Sequence, residues 1–304
     1  MPHLSAPVIS SEITSPPAFV EAFLAAQDVR KHTLENYRHH LAAFFAQLPE
    51  GEPVTHASIS AWRDRLLAEG KSALSVGSYL SAVRVFFAWC NRSGISPNLA
   101  QGVKSPKAER RFRRLPLSTE SARLVLASCH TARARLLVEL MLRAGLRGVE
   151  LSRVNVEDRT IRAGRDVLHV QGKGRDDREA FVVLSPSVLT AWSAYLSELG
   201  PVHPSSPLFP SRRGTKAGER LSTRSIRAEV GEVLERAGVK ERRVTAHSLR
   251  HTCAVELRRA GASLQETQRV LRHASSDTTA LYSAFAEDEI RLASPPEMLL
   301  EGVF

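Results

Sequence analysis

The chain has 304 residues, with 42 Lys and Arg against 32 Asp and Glu, which gives a formal charge of +10 before histidine is counted. With 43% hydrophobic and 24% charged residues it can bury a sizeable core, which excludes disorder throughout, and its length suggests about two domains. The positive balance points to a polyanionic partner, nucleic acid first and an anionic membrane surface second.

The first 17 residues, rich in Ser and Pro, read as a flexible tail. They hold no basic stretch followed by an apolar one, and no run of about 18 apolar residues stands out in the chain, so neither secretion nor membrane insertion is expected. Cys90, Cys129 and Cys253 are odd in number and far apart, which suits neither a disulfide framework nor a CxxC metal knuckle. The cytoplasm is the expected compartment.

From Phe19 the pattern is helical. Thr33 is the expected N-cap of a helix whose apolar face is Leu34, Tyr37, Leu41, Phe44 and Phe45. A shorter helix is expected over 58–67, and a strong one through Val76, Tyr79, Leu80, Val83, Phe86 and Trp89, stopping near Ser93-Gly94. Residues 18–103 thus read as a bundle of about four helices. Residues 104–114, KSPKAERRFRR, carry Lys104, Lys107, Arg110, Arg111, Arg113 and Arg114 against one acid, Glu109. This basic segment over 104–115 reads either as a solvated linker or as a strap along a phosphate backbone.

A second domain is expected over 116–304. Ser118 caps a helix, and Leu136, Leu137, Leu140 and Met141 mark a strongly apolar one. DVLHV and EAFVVL read as strands joined by the turn QGKGRDDR, with Lys173 at its tip. Helices follow from Ser187, broken at 201–210, at Gly238 and Gly261, and near Ser275. The fold class is mainly α, with a mixed α/β second domain carrying a small antiparallel sheet.

Four stretches place polar groups where helical packing prefers apolar ones. In LRAGLRGVEL, Arg147 and Glu150 stand three apart, while Leu146 and Leu151 can face a core. In AHSLRHTCAVELRRAG, His247 and Arg250 share a face. His247 and His251 also stand four apart, but Ser248 occupies the place where a zinc HExxH site needs glutamate, so no metal is expected. The others are VLRHASSDTTALYSAF, with His273 and Tyr282, and Lys173 itself. Taken singly, they read more readily as an exposed ion pair, a core tyrosine and a solvated lysine. Taken together, two arginines, a lysine, two histidines and a tyrosine suit one task, holding a phosphodiester while a phenol attacks it. Arginine forks match two non-bridging oxygens, a phenol needs a base, and a leaving alkoxide needs an acid.

Arg147 in GLRGVEL, Lys173 in GKG, His247 and Arg250 in HSLRH, His273 in LRH, and Tyr282 nine residues later resemble the tyrosine recombinase family, also called the phage integrase family, in its short Xer-type or transposon-type form. The resemblance implies a helical core-binding domain followed by a catalytic domain. Site-specific strand exchange would run through a 3′-phosphotyrosyl intermediate and a Holliday junction. Tyr282 would be the nucleophile, Arg147, Arg250 and His273 would hold the phosphate, Lys173 would be the acid for the 5′-oxygen, His247 would assist proton transfer, and Glu150 would orient Arg147. It implies no cofactor and no metal. The implied partner is double-stranded DNA with inverted half-sites, bound by a homotetramer with or without a second recombinase, and no membrane. A type IB topoisomerase or a non-catalytic DNA-binding protein are the other readings. The family commonly has glycine where this chain has Arg272, so either that turn differs or Arg272 reaches DNA. After Pro295 and Pro296, the apolar residues Met298, Leu299, Leu300, Val303 and Phe304 either fold back or, as the resemblance implies, dock on a neighbouring protomer.

Overall fold

The computed structural model describes residues 16–49, 52–107, 114–172, 180–212, 215, 217–272, 295, 297–298 and 301. It divides into two compact units, residues 1–110 and 111–304.

The first unit contains α1 (Pro16–Ala25), α2 (Lys31–Phe45), α3 (His56–Ala68) and α4 (Ala73–Arg92). Its core is aromatic. Phe23 meets Phe86 edge-on at 5.4 Å, and Phe44 meets Trp62 edge-on at 4.9 Å, the geometry that places a ring's positive edge on its neighbour's negative face. The α2 helix begins at Lys31 rather than after Thr33, because the Thr33 N–H already donates to the Arg30 carbonyl at 2.8 Å. In α4, Val76, Leu80, Val83, Phe86, Phe87 and Cys90 form the buried stripe. This helix is long and apolar enough to cross a membrane, with a mean hydropathy of 1.3 over an 18-residue window, yet its apolar stripe packs inside the bundle. Below it, Arg84 donates to the Val103 carbonyl and to Ser105 Oγ at 3.0 Å, and Arg63 reaches the Lys104 carbonyl at 3.3 Å. Two arginines therefore pin the start of the basic segment.

The second unit contains α5 (Thr119–Ala127), α6 (Ala132–Arg143), α7 (Gly148–Arg153), β1 (Arg159–Arg162), β2 (Arg165–Val170), β3 (Ala180–Val183), α8 (Pro186–Leu199), α9 (Thr223–Arg236), α10 (Ala246–Arg259) and α11 (Leu264–Leu271). Ser118 caps α5 by accepting from the Ser121 N–H. Leu136, Leu137, Val138, Leu140 and Met141 of α6 are buried, and α5, α8, α9 and α10 pack on this helix. The antiparallel sheet has the order β1-β2-β3, with Thr160 opposite Val167 and Val167 opposite Val183. Strand β1 is an addition to the two strands legible in the sequence. RTIR shows no apolar alternation because it is an exposed edge, and its turn runs through Ala163 and Gly164, both at positive φ, as a tight hairpin requires.

Candidate active site

The site is built at the end of α6. Ala144 caps that helix, and Gly145 turns the chain at φ +59°. A side chain there is excluded on two counts: the backbone is left-handed, and a Cβ would lie 2.7 Å from Leu271 Cδ2 and 3.3 Å from Cys253 Sγ. Leu146 then enters the core, and Arg147 becomes the N-cap residue of α7. The Arg147 N–H donates to Glu150 Oε2 at 2.8 Å, and its guanidinium Nη1 donates to Oε1 at 2.8 Å. Glu150 thus caps its own helix and grips Arg147 with the same carboxylate. It is fully buried, which excludes the reading of a solvated surface pair.

Arg250 arrives from α10, where Ser248 accepts from the Thr245 N–H at 3.0 Å to start the helix and Leu249, Ala254 and Val255 fill the core face. Its side chain is 1% exposed. It donates to the Gly145 and Leu271 carbonyls and lies 3.7 Å from Glu150 Oε2. Helix α11, capped by the reciprocal Ser263 and Glu266 pair, ends at Leu271. Arg272 follows in the left-handed conformation, at φ 52° and ψ 47°. The glycine-like turn is therefore kept without glycine, and the side chain turns inward rather than to solvent. It donates to Glu150 Oε2 at 2.8 Å, to the Gly145 carbonyl at 3.3 Å and to the Val270 carbonyl at 2.6 Å. One buried carboxylate consequently faces three guanidiniums from three separate segments.

The electrostatics follow from that ratio. Burial alone would raise the Glu150 carboxyl, but the charge and hydrogen bonds of Arg272, the charge of Arg250 and the Arg147 N–H hold it below the ordinary carboxylate value. His247, one turn before Arg250, keeps an exposed edge. Crowding by the surrounding protein, then the charges of Arg250, Arg147, Arg227 and Arg114, push its pKa down to about 4. At neutral pH it is a neutral imidazole among cations, in edge-on contact with His251 at 4.7 Å. Exposed Arg114 is brought there by the end of the basic segment, which is tied down as Arg114 and Leu115 donate to the carbonyls of Arg242 and Arg243 at 3.1 Å each. The Leu117 N–H donates to Thr252 Oγ1 on α10 at 2.8 Å.

Of the residues singled out by sequence, the fold brings Arg147, Glu150, His247 and Arg250 together and adds Arg114. Lys104 and Lys107 are exposed in the first unit. Lys173, His273, Tyr282, Arg110, Arg111 and Arg113 lie outside the described residues, as do Leu299, Leu300, Val303 and Phe304, while Met298 is exposed. The base of the β2–β3 connection is anchored to α7, because Arg153 donates to the Gly172 carbonyl at 3.3 Å. Arg272 as a third arginine on Glu150, and Arg227 as a cation acting on His247, were not anticipated. The only sequence signal for the first was an arginine at a helix end that favours glycine.

Residues 117–289 match the Phage integrase family, and residues 18–94 match the Phage integrase N-terminal SAM-like domain. The tyrosine recombinase XerC of Rhodospirillum centenum is 33% identical over 273 residues, covering 83% of this chain and 77% of that protein. The XerC of Thermodesulfovibrio yellowstonii is 31% identical over 266 residues, covering 83% and 85%. In fold, the chain is similar to the XerH recombinase bound to a palindromic difH substrate after cleavage, with a TM-score of 0.71, 20% identity and coverage of 96% and 86%. It is also similar to a lambda integrase tetramer bound to a Holliday junction, with a TM-score of 0.69, 21% identity and coverage of 91% and 81%. Its sequence matches across both parts, together with its mainly helical fold and small antiparallel sheet, place this chain in the phage integrase family, as a tyrosine recombinase of the Xer-like kind.

Proposed function

We propose that the chain performs site-specific strand exchange with Tyr282 as nucleophile and the Glu150-centred cluster as its phosphate-gripping floor. The observation that carries this reading is the convergence of Arg147 and Arg250 on one buried carboxylate with neutral His247 one turn away. Arg147 and Arg250, with His273, hold the non-bridging oxygens and stabilise the charge of the pentacovalent transition state. The Tyr282 oxygen attacks phosphorus as its proton leaves to His247, whose neutral ring can accept one. The bond to the 5′-oxygen breaks, and Lys173 protonates that oxygen. The bond energy stays in the phosphotyrosine, so the second 5′-hydroxyl can rejoin the strand without ATP.

The partner in this reading is duplex DNA carrying inverted half-sites, bound by four copies, with the C-terminal segment from Pro295 linking neighbours. Residues 18–103 and residues 116–304 each bind it, and 104–115 runs along phosphates. A topoisomerase or a catalytically silent binder is not favoured, since the relatives above 30% identity are recombinases over most of the chain.

The test begins with a duplex recovered from a randomised pool and footprinted, then nicked to give a suicide substrate. The parent protein forms a covalent complex on it, and Tyr282→Phe binds equally and forms none. Lys173→Ala cleaves slowly and recovers when the 5′-bridging oxygen is sulfur, because a thiolate leaves without an acid. Cleavage by Tyr282→Phe overturns the assignment of the nucleophile, and failure of the sulfur substrate removes Lys173 from the acid role.

A further inference from the structure

We propose that Arg272 is a positioning residue for strand cleavage, closing the third side of the Glu150 carboxylate and thereby fixing Arg147 and Arg250 where they meet the scissile phosphate. This rests on the reading of the site given above and goes beyond it, because the six-residue chemistry assigns Arg272 no part.

Its backbone is the first argument. Ala163 and Arg272 are the only non-glycine residues at positive φ among the described residues, and the left-handed conformation is strained for any L-residue with a Cβ. At Ala163 the reason is a hairpin turn. At Arg272 no hairpin demands it, and what an arginine supplies there is its side chain. That side chain is 9% exposed. Its Nη2 donates to Glu150 Oε2 at 2.8 Å and Nε lies 3.5 Å from Oε1, so the fork faces both carboxylate oxygens. The same Nη2 shares the Gly145 carbonyl with Arg250 Nη1, and Nη1 takes the Val270 carbonyl. Arg272 therefore links the loop before Arg147, the end of α11 and the carboxylate that holds Arg147.

These bonds also exclude a direct role on DNA. A guanidinium turned inward, with its fork committed to a carboxylate and two carbonyls, has little surface left for a phosphate. The groups facing Glu150 are the Arg147 N–H and guanidinium from the start of α7, Arg250 from α10 with His247 beside it, and Arg272 beyond α11. Removing Arg272 deletes the strongest charge holding that carboxyl down and leaves burial to raise it. A protonated Glu150 releases its grip on Arg147 and Arg250, so cleavage should fail on acidification at a higher pH than in the parent.

Single-turnover covalent trapping on the nicked substrate between pH 4 and 8 tests this, with half-site affinity measured against salt in parallel. Arg272→Gly, which relaxes the backbone, should cleave about tenfold more slowly at neutral pH. Its acid limb should move up by about one pH unit while half-site affinity and salt slope stay those of the parent. Arg272→Asn, also tolerant of the left-handed turn, is read in the same way. Arg272→Lys keeps a charge without the fork and should show the parent acid limb with a rate reduced about threefold. A parent-like rate and profile in Arg272→Gly or Arg272→Asn overturns the proposal, as does a salt slope smaller by about 0.9, which would make Arg272 a phosphate ligand. Should both neutral variants fail to fold, a parent rate in Arg272→Lys overturns it and a reduced rate at parent affinity supports it. If the parent itself traps no DNA, the reading of the site fails with it. If the parent traps DNA and the variants match it, only the positioning role falls.

Discussion

Glu139 and Glu150 are both fully buried glutamates held by arginines, yet they are built by different means. Glu139 sits in α6 between Arg135 and Arg143, each four residues away on the same helix, at 2.8 and 2.6 Å. Both of those arginines are more than two-fifths exposed, so helical spacing alone makes the cluster and water shares its charge. The arginines of Glu150 come from the start of α7, from the middle of α10 and from beyond α11, and the side chains of the last two are only 1% and 9% exposed. The first cluster needs only a helix. The second exists only when three segments have folded against one another, which is what a preorganised phosphate site requires. Similar residue inventories thus serve adhesion in one place and, in the proposed function, chemistry in the other.

The largest difference should appear on neutralising the two carboxylates. Glu150→Gln leaves buried Arg250 and largely enclosed Arg272 without a counter-charge and should lower unfolding free energy by about 3–5 kcal/mol in urea titration. Gly145→Ala, which leaves every charge in place but presses a methyl into Leu271 and Cys253 at a left-handed position, should cost about 2–3 kcal/mol by the same titration. Glu139→Gln should cost only about 1 kcal/mol, because its arginines can turn to water. Equal losses at Glu139 and Glu150 would erase the distinction. The smallest effect is the pH dependence at His247. Its folded value of about 4 lies below the ordinary 6.5, so between those limits the unfolded chain takes up a proton that the folded chain refuses. Stability is whole above pH 6.5 and falls toward pH 4, and His247→Gln should flatten that slope by roughly 1 kcal/mol, a small figure because the exposed edge is screened.

Much of this was legible in the sequence, and the rest was hidden for physical reasons. Helices α4 and α6 announced themselves through long apolar stripes at three-to-four spacing, and α5 through the Ser118 cap. Strand β1 did not, because an exposed edge strand of the composition RTIR carries no alternation. The Arg147–Glu150 pair was visible as a spacing, but its burial and its role in capping α7 depend on Gly145 turning the chain into the core. The inward course of Arg272 depends on a Glu150 that lies far off in sequence, so no local pattern could show it. Likewise, Arg227 and Arg114 act on His247 only through packing around α10.

Neutralising Lys104, Lys107, Arg110 and Arg111 together extends the contrast to the exposed charges of the basic segment. If these four lie on phosphates, binding to all sequences should weaken alike, and the salt slope should fall by roughly 0.9 per lost contact. An unchanged slope would make the segment a plain linker.

The most direct test of the central claim is to digest the covalent complex trapped on a nicked half-site with trypsin and sequence the nucleotide-bearing peptide. The account predicts one adduct, on Tyr282, within the fragment of residues 273–291 that begins immediately after Arg272. An adduct on any other residue, or strand cleavage with no protein adduct, would contradict it.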